Sequence, residues 1–278
     1  MINALVSLNA DLASSIAFRY SCLLTGVADI RLQPIHVEQV DKNGYPPGSG
    51  WVRSTWEKGL LHTATEEISQ LLYAERSSCP PLDTTIVRIG DREEELLKEL
   101  EEHAYEILLE GVLNSFDSRL FKQKVHSKLF KEAPCPIILV KNLVNPDRMA
   151  LLLGDPKDVK PLVSCFLRLF GKSRVTVDLV YYIVKKTGQP EFRKKAADSA
   201  GPDWEKAVRV IDEAKVLLAE DGWTPEESWI IQDSIKRIGD MMGEYGLVGA
   251  YTPRSTSRKQ QIMDLLSRVP SATLSCKW

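Results

Sequence analysis

The sequence predicts an α/β protein built as two doubly wound, mostly parallel five-stranded sheets in tandem. Three observations carry this reading. From Ala104 to Asn142 the chain reads strand, loop, helix, strand, in a span that implies a parallel βαβ crossover. The same alternation of apolar runs and amphipathic helices fills the chain before it. After Asn142 the alternation begins again.

In the βαβ unit, Tyr105 to Leu109 is a short apolar run that stops at Glu110-Gly111. A polar loop opens with Asn114-Ser115-Phe116-Asp117-Ser118. Leu120, Phe121, Val125, Leu129 and Phe130 then recur at helical spacing, with Lys122, Lys124, Lys128 and Lys131 between them. Ala133-Pro134 ends that helix, since proline cannot donate the next helical bond and disfavours the α region for its predecessor. Ile137 to Val140 is a β-branched run that suits one buried strand.

Upstream, residues 4 to 9 read as a first strand, and Asp11 is placed to cap a helix carrying Leu12, Ile16, Ala17, Tyr20, Leu23 and Leu24, ending near Gly26. Ile30 to Val37 is a second strand, and Asp41 to Gly50 a loop by its Gly and Pro content. Trp51 to Glu75 is helical, Thr84 to Ile89 a third strand, and Arg92 to His103 a charged helix. The order is five strands alternating with four helices.

The second round starts after a short linker, Val144-Asn145-Pro146. Ala150 to Leu153 repeats the first strand, and Asp158 is expected to cap the next helix, with Pro161 tolerated in its first turn. Val175 to Val184 is a strand, Lys185 to Asp203 a polar loop, and Val208 to Leu217 a helical stretch. Glu227 to Ile231, Leu247 to Tyr251 and Ser271 to Trp278 read as the remaining strands, with helices over Ile235 to Tyr245 and Arg258 to Arg268. Lys42-Asn43-Gly44-Tyr45-Pro46 parallels Lys186-Thr187-Gly188-Gln189-Pro190, and Trp56-Glu57-Lys58 parallels Trp204-Glu205-Lys206, at nearly constant offset. The recurrence of Arg88-Ile89-Gly90-Asp91 as Arg237-Ile238-Gly239-Asp240 is a decoy, because that alignment leaves too few residues for the remaining elements. Two domains are expected, residues 1–145 and 146–278.

A formal charge of −2 on 278 residues implies no field for nucleic acid or anionic membrane. The basic clusters Arg193-Lys194-Lys195 and Arg254 to Lys259 read as solvated loops. No apolar run approaches a membrane span, and the N-terminus lacks a charged leader, so a cytoplasmic protein is expected. Five scattered cysteines, with no Cys-x-x-Cys pair, suit reduced thiols better than a disulfide framework. The four histidines are dispersed, and no metal site is expected.

The stretch Ala133-Pro134-Cys135-Pro136 followed by Ile137 to Val140 resembles the end of a universal stress protein domain, which closes with a helix, an Ala-Pro-Cys-Pro turn and a last hydrophobic strand. Gly90-Asp91 before an acidic helix also matches that family. The resemblance implies the universal stress (adenine-nucleotide α-hydrolase-like) fold, with the second copy more diverged. ATP-binding members carry a loop of the form Gly-x-x-Gly-x9-Gly-Ser, whose backbone N–H groups hold phosphates. Here Gly111 fits the first glycine, Asn114 stands at the second, and the third falls on Lys124 or Gln123. An aspartate ending the family's first strand contacts the nucleotide; its position is Asn9 in copy one and Asp155 in copy two. The copy-two loop, Tyr251 to Arg258, has no glycine.

Asn9, Gly111, Asn114, Lys124 and Asp155 are therefore the candidate nucleotide-binding residues, with Lys122, Ser115, Ser118, Arg254 and Arg258 as further phosphate partners. Asp155 and Asp158 equally suit helix capping and first-turn charge. Two functions follow from the resemblance. One is a non-catalytic stress-response regulator or scaffold with a degenerate ATP loop and no cofactor; the alternative is an ATP- or AMP-binding regulator. No Gly-x-Ser-x-Gly or His-Glu-x-x-His occurs, and Glu93-Glu94-Glu95 reads as a solvated face, so no enzyme is expected. Cys135, within the family turn, is read as packed. Family members commonly dimerise through their last strands, which implies an intramolecular pseudo-dimer of Ile137 to Val140 with Leu274 to Cys276, Ile138 and Leu274 making its apolar contacts. Further association into a homodimer would use exposed apolar helix faces, with protein partners unspecified.

Overall fold

The computed structural model describes residues 1–40, 50–75, 79, 82–113, 119–185, 191–194, 202–252 and 256–277. Its strands are β1 (Ile2–Leu8), β2 (Ile30–Gln39), β3 (Ile86–Gly90), β4 (Ile107–Gly111), β5 (Ile137–Val140), β6 (Arg148–Leu153), β7 (Thr176–Val184), β8 (Glu191–Lys194), β9 (Ser228–Asp233), β10 (Leu247–Tyr251) and β11 (Ala272–Cys276). The helices are α1 (Leu12–Val27), α2 (Trp51–Glu75), α3 (Arg92–Glu102), α4 (Arg119–His126), α5 (Lys128–Glu132), α6 (Pro156–Phe170), α7 (Pro202–Glu220), α8 (Ile235–Met241) and α9 (Thr256–Arg268).

The strands form one continuous sheet in the order β3-β2-β1-β4-β5-β11-β10-β6-β7-β9-β8. All neighbours are parallel except β5 with β11 and β8 with β9. The two doubly wound, mostly parallel halves are as expected, joined edge to edge and with one strand added. The halves share a single eleven-stranded sheet, and the second half gains β8, inside the stretch read as a polar loop. β8 lies at the sheet's end, where a strand needs pairing on one side only.

Buried apolar runs are continuous because both faces of the sheet are covered. Along β4 and β5, Leu109, Ile138 and Val140 face the layer of α1, α6 and α7. Leu108, Ile137 and Leu139 alternate to the other face, under α3, α4, α5, α8 and α9. At the junction Leu274 stands opposite Ile138 and Thr273 opposite Leu139.

Several local details differ from expectation for identifiable reasons. The fourth helix is broken into α4 and α5 at Ser127, whose hydroxyl accepts from the Phe130 amide and caps α5. Helix α6 begins at Pro156, two residues before Asp158, and Asp155 is its cap. Pro161 thus lies beyond the first turn, and the Lys157 carbonyl, which its missing N–H would have served, sits at an exposed residue. Asp158 supplies first-turn charge instead. Cys22 and Cys79 form a disulfide, contrary to the reading of five reduced thiols, while Cys135, Cys165 and Cys276 are free and buried.

Polar bonds lock the two halves across the junction. The Tyr20 hydroxyl of α1 donates to the Gly246 carbonyl at 2.8 Å. Lys122 of α4 pairs with Asp264 of α9 at 2.9 Å. Just past β5, Lys141 is buried and donates to the carbonyls of Leu266 (2.5 Å) and Val269 (2.7 Å) at the end of α9, its ammonium 4.4 Å from the Phe121 ring centre. Just past β11, Lys277 stands 4.0 Å from the Phe130 ring centre, the mirrored place in the other half.

Burial pushes the Lys141 ammonium down from 10.5 to about 7. Between those values the unfolded chain holds a proton that the folded chain has released. Stability contributed by this residue therefore rises with pH across that window, and below pH 7 the folded state carries the full cost of the buried charge. Denaturant unfolding at intervals from pH 7 to 9 should show a slope in wild type that Lys141→Met lacks, a difference of up to about 1.4 kcal/mol per pH unit. Equal slopes would show that Lys141 is charged throughout.

Candidate functional site

In each half the strand order reverses next to the first strand: between β1 and β4, and between β6 and β10. A crevice opens at the carboxyl ends of strands at such a reversal. Both reversals here carry a cleft.

The first cleft has a volume of about 350 Å³. Ser7 and Asn9 come from the end of β1, Asp11 and Ser14 from the start of α1, Gly111 from the end of β4, Arg92 from α3, and Lys124 from α4. The structure thus brings Asn9, Gly111 and Lys124 together. Lys122 turns away to Asp264 and does not line the cleft. Asn114, Ser115, Ser118 and Arg254 lie outside the described residues, as does the side chain of Arg258.

Gly111 has a packing reason to be glycine. A Cβ there would lie 2.2 Å from the Ala13 carbonyl oxygen and 2.5 Å from its carbon. The first turn of α1 presses against the end of β4, and it is held there by its own contacts. Asp11 accepts from the Ser14 amide at 2.7 Å, and the Ser14 hydroxyl accepts from the Asn9 amide at 2.8 Å. Part of the donor set at this helix start is therefore already engaged.

Two lining cations, Arg92 and Lys124, are held from behind by a carboxylate that does not itself line the cleft. Glu110, its side chain 5 % exposed, accepts from Lys124 Nζ at 2.6 Å and pairs with the Arg92 guanidinium. Arg92 also donates to the Ser7 hydroxyl at 2.7 Å. Burial raises the Glu110 carboxyl, and the charges of Arg92 and Lys124 more than offset that, so it lies below the usual carboxylate range. Both cleft cations are thus committed to an internal carboxylate.

The sequence alone points to neither Arg92 nor Glu110. Glu110 follows an apolar run and reads as its stop, yet strand alternation places it on the face of Leu108. Arg92 leads an acidic run, which hides it. Its signal is its place beside Asp91, the α3 cap that accepts from the amides of Glu93 and Glu94.

The second cleft, of about 210 Å³, is lined by Gly154, Asp155, Asp158, Tyr182, Lys206 and Tyr251 among others. Asp155 does not join Asn9, Gly111 and Lys124, which belong to the first cleft. Its carboxylate accepts from the Lys157 amide at 3.0 Å in its capping role. A Cβ at Gly154 would lie 2.9 Å from the Tyr182 hydroxyl, so that ring closes over the strand end. Among the described residues, two carboxylates against one lysine make this a poor place for phosphate.

Among the described residues, neither cleft is lined by histidine or cysteine. Cys135 is buried, and burial pushes its thiol up to about 12, which makes it inert at neutral pH. Glu99, Glu102 and His103 come close together on α3 and its end, but Arg88 pairs with both carboxylates and the Tyr105 hydroxyl donates to Glu99. That group is an ion-pair network.

No family model matches the sequence, and no curated protein matches it. Solved structures do. A universal stress protein from Archaeoglobus fulgidus DSM 4304 superposes with a TM-score of 0.61 at 14 % identity, over 99 % of this chain and 98 % of that one. A provisionally named universal stress protein from Pseudomonas aeruginosa UCBPP-PA14 gives 0.59 at 14 % identity, over 99 % and 92 %. A protein of unknown function from Pseudomonas aeruginosa PAO1 gives 0.58 at 14 %, with the same coverage.

The fold is that of a tandem universal stress protein. Both the α/β class and the doubling of the universal stress fold are thereby shown, at an identity that speaks to architecture alone. Among the described residues of this universal stress fold, no helix is long and apolar enough to cross a membrane.

Proposed function

We propose that the chain is a cytoplasmic, non-catalytic regulator or scaffold of the stress response, in which the ATP position of the first half has become an internal ion pair. The observation that supports this is Glu110, whose carboxylate lies between Arg92 and Lys124 where an incoming phosphate would need those cations. A phosphate would have to displace a buried carboxylate from two charge-assisted bonds, leaving a charge unpaired. The second cleft supports the same reading through Asp155, Asp158 and Tyr182. Action through its surface, on protein partners or a second copy, is what remains.

A second reading, an ATP- or AMP-binding regulator with a non-standard phosphate loop, draws on the convergence of Asn9, Gly111 and Lys124 on one cleft. Titration calorimetry separates the two. Wild type should give no heat with millimolar ATP or AMP. Glu110→Gln frees both cations and should bind the same nucleotides at least about ten-fold more tightly. Micromolar binding by wild type, weakened by Lys124→Ala, would overturn the scaffold reading in favour of the second.

A further inference from the structure

The disulfide between Cys22 and Cys79 joins the middle of α1 to the chain that leaves α2. The two elements it joins are anchored very unequally. Helix α1 buries Ala17, Phe18, Tyr20 and Leu24 against the sheet. Helix α2 runs 25 residues and buries only Ala64 and Ile68, with Trp51 and Tyr73 at 79 % and 75 % exposure. Apolar burial does little to hold α2 down.

Where α2 ends, polar groups add to that hold. Glu75 at the end of α2 accepts from the Ser15 hydroxyl at 2.8 Å and, through its two oxygens, from Nε and Nη2 of Arg19 on α1. Beyond Cys79, Asp83 accepts two bonds from Arg31 of β2, at 2.6 and 2.9 Å. Arg19 and Arg31 are each about half exposed, which weakens both pairs, although the Glu75 carboxylate is only 11 % exposed. Between them the Cys79 sulfur is the covalent point of attachment.

We propose that the Cys22–Cys79 disulfide is a redox switch that sets how firmly α2 docks on the rest of the fold. The reductant is a dithiol. One of its thiolates attacks the Cys79 sulfur, the less buried of the two, forming a mixed disulfide. The Cys22–Cys79 bond breaks with its electron pair on the Cys22 sulfur, which takes up a proton. The second donor thiolate then attacks the donor sulfur of the mixed disulfide and releases Cys79, which takes up the second proton. Two electrons and two protons enter the protein, and the donor leaves as its own disulfide. A disulfide oxidant reverses the sequence. The chemistry is confined to this pair, because Cys135, Cys165 and Cys276 are buried and burial raises the Cys135 and Cys276 thiols.

Hydrogen–deuterium exchange on the full chain tests the switch. One sample is oxidised, the other treated with dithiothreitol, and thiols are counted by alkylation after denaturation. The oxidised protein should show two fewer than its five thiols. On reduction, peptides from α2 should exchange at least about ten-fold faster while those from α6 do not change. Cys79→Ser should behave as the reduced protein with or without dithiothreitol. Five thiols in the oxidised sample would overturn the proposal. So would α2 exchange that ignores reduction, or an equal acceleration in α6, which would make the bond a brace for the whole fold.

Discussion

Gly111→Ala is expected to lower stability by about 3 kcal/mol, the upper end of the range for forcing atoms into a packed interior. The added methyl would lie 2.2 Å from the Ala13 carbonyl oxygen, a backbone atom with no rotamer through which to escape. Relief would require the first turn of α1 to move, and that turn is pinned by Asp11 and by the Asn9–Ser14 bond. Gly26→Ala provides the contrast. It lies within α1 with nothing within 4 Å of its added carbon, so alanine's helix propensity should raise stability by up to about 1 kcal/mol. Thermal unfolding of both variants, measured together, gives the comparison. If Gly111→Ala unfolds with wild type, the close approach of β4 to α1 is not rigid, and the glycine has another reason to be there.

Leu274→Asp should be more damaging still, costing upwards of about 4 kcal/mol. Leu274 is 1 % exposed, on β11 opposite Ile138, and no cation faces it across the pair. The new carboxylate would be stranded at the junction where the two halves of the sheet meet. Leu274→Ala, which leaves a cavity and no charge, should cost about 2–5 kcal/mol and stay soluble. The aspartate variant should instead expose the edges of β5 and β11, which invite pairing between chains. Size-exclusion chromatography and denaturant unfolding read both effects. A monodisperse Leu274→Asp chain with the wild-type midpoint would show that the junction is held by the polar bonds at Tyr20, Lys122 and Lys141 alone.

The fold was legible because its determinants are local. Apolar runs of β-branched residues, helices at 3.6-residue spacing, Asp11 as a cap and Pro134 as a stop each act within a few residues of where they stand. The misses involve partners distant in sequence or signals overridden by a neighbour. Pro156 favours the first helical position, which would have identified Asp155 rather than Asp158 as the cap of α6. Cys22 and Cys79 are separated by 57 residues and meet only because α2 returns beside α1. Glu191 to Lys194 has no apolar alternation; β8 exists because the edge of β9 offers it a ladder. The residues of the candidate cleft divide in the same way. Asn9, Gly111 and Lys124 could be reached through a motif, whereas the Glu110 carboxylate makes sense only once Arg92 and Lys124 are seen converging on it from two different helices.

The antiparallel pairing of β5 with β11 has an evolutionary corollary. Had two identical chains met along this line, every substitution would have appeared twice, and a change that spoiled one crevice would have spoiled its mate. Within a single polypeptide that constraint is lifted. One crevice is lined by Arg92 and Lys124, both tied to Glu110, and the other by Asp155, Asp158 and Tyr182, a division of character that no homodimer could have.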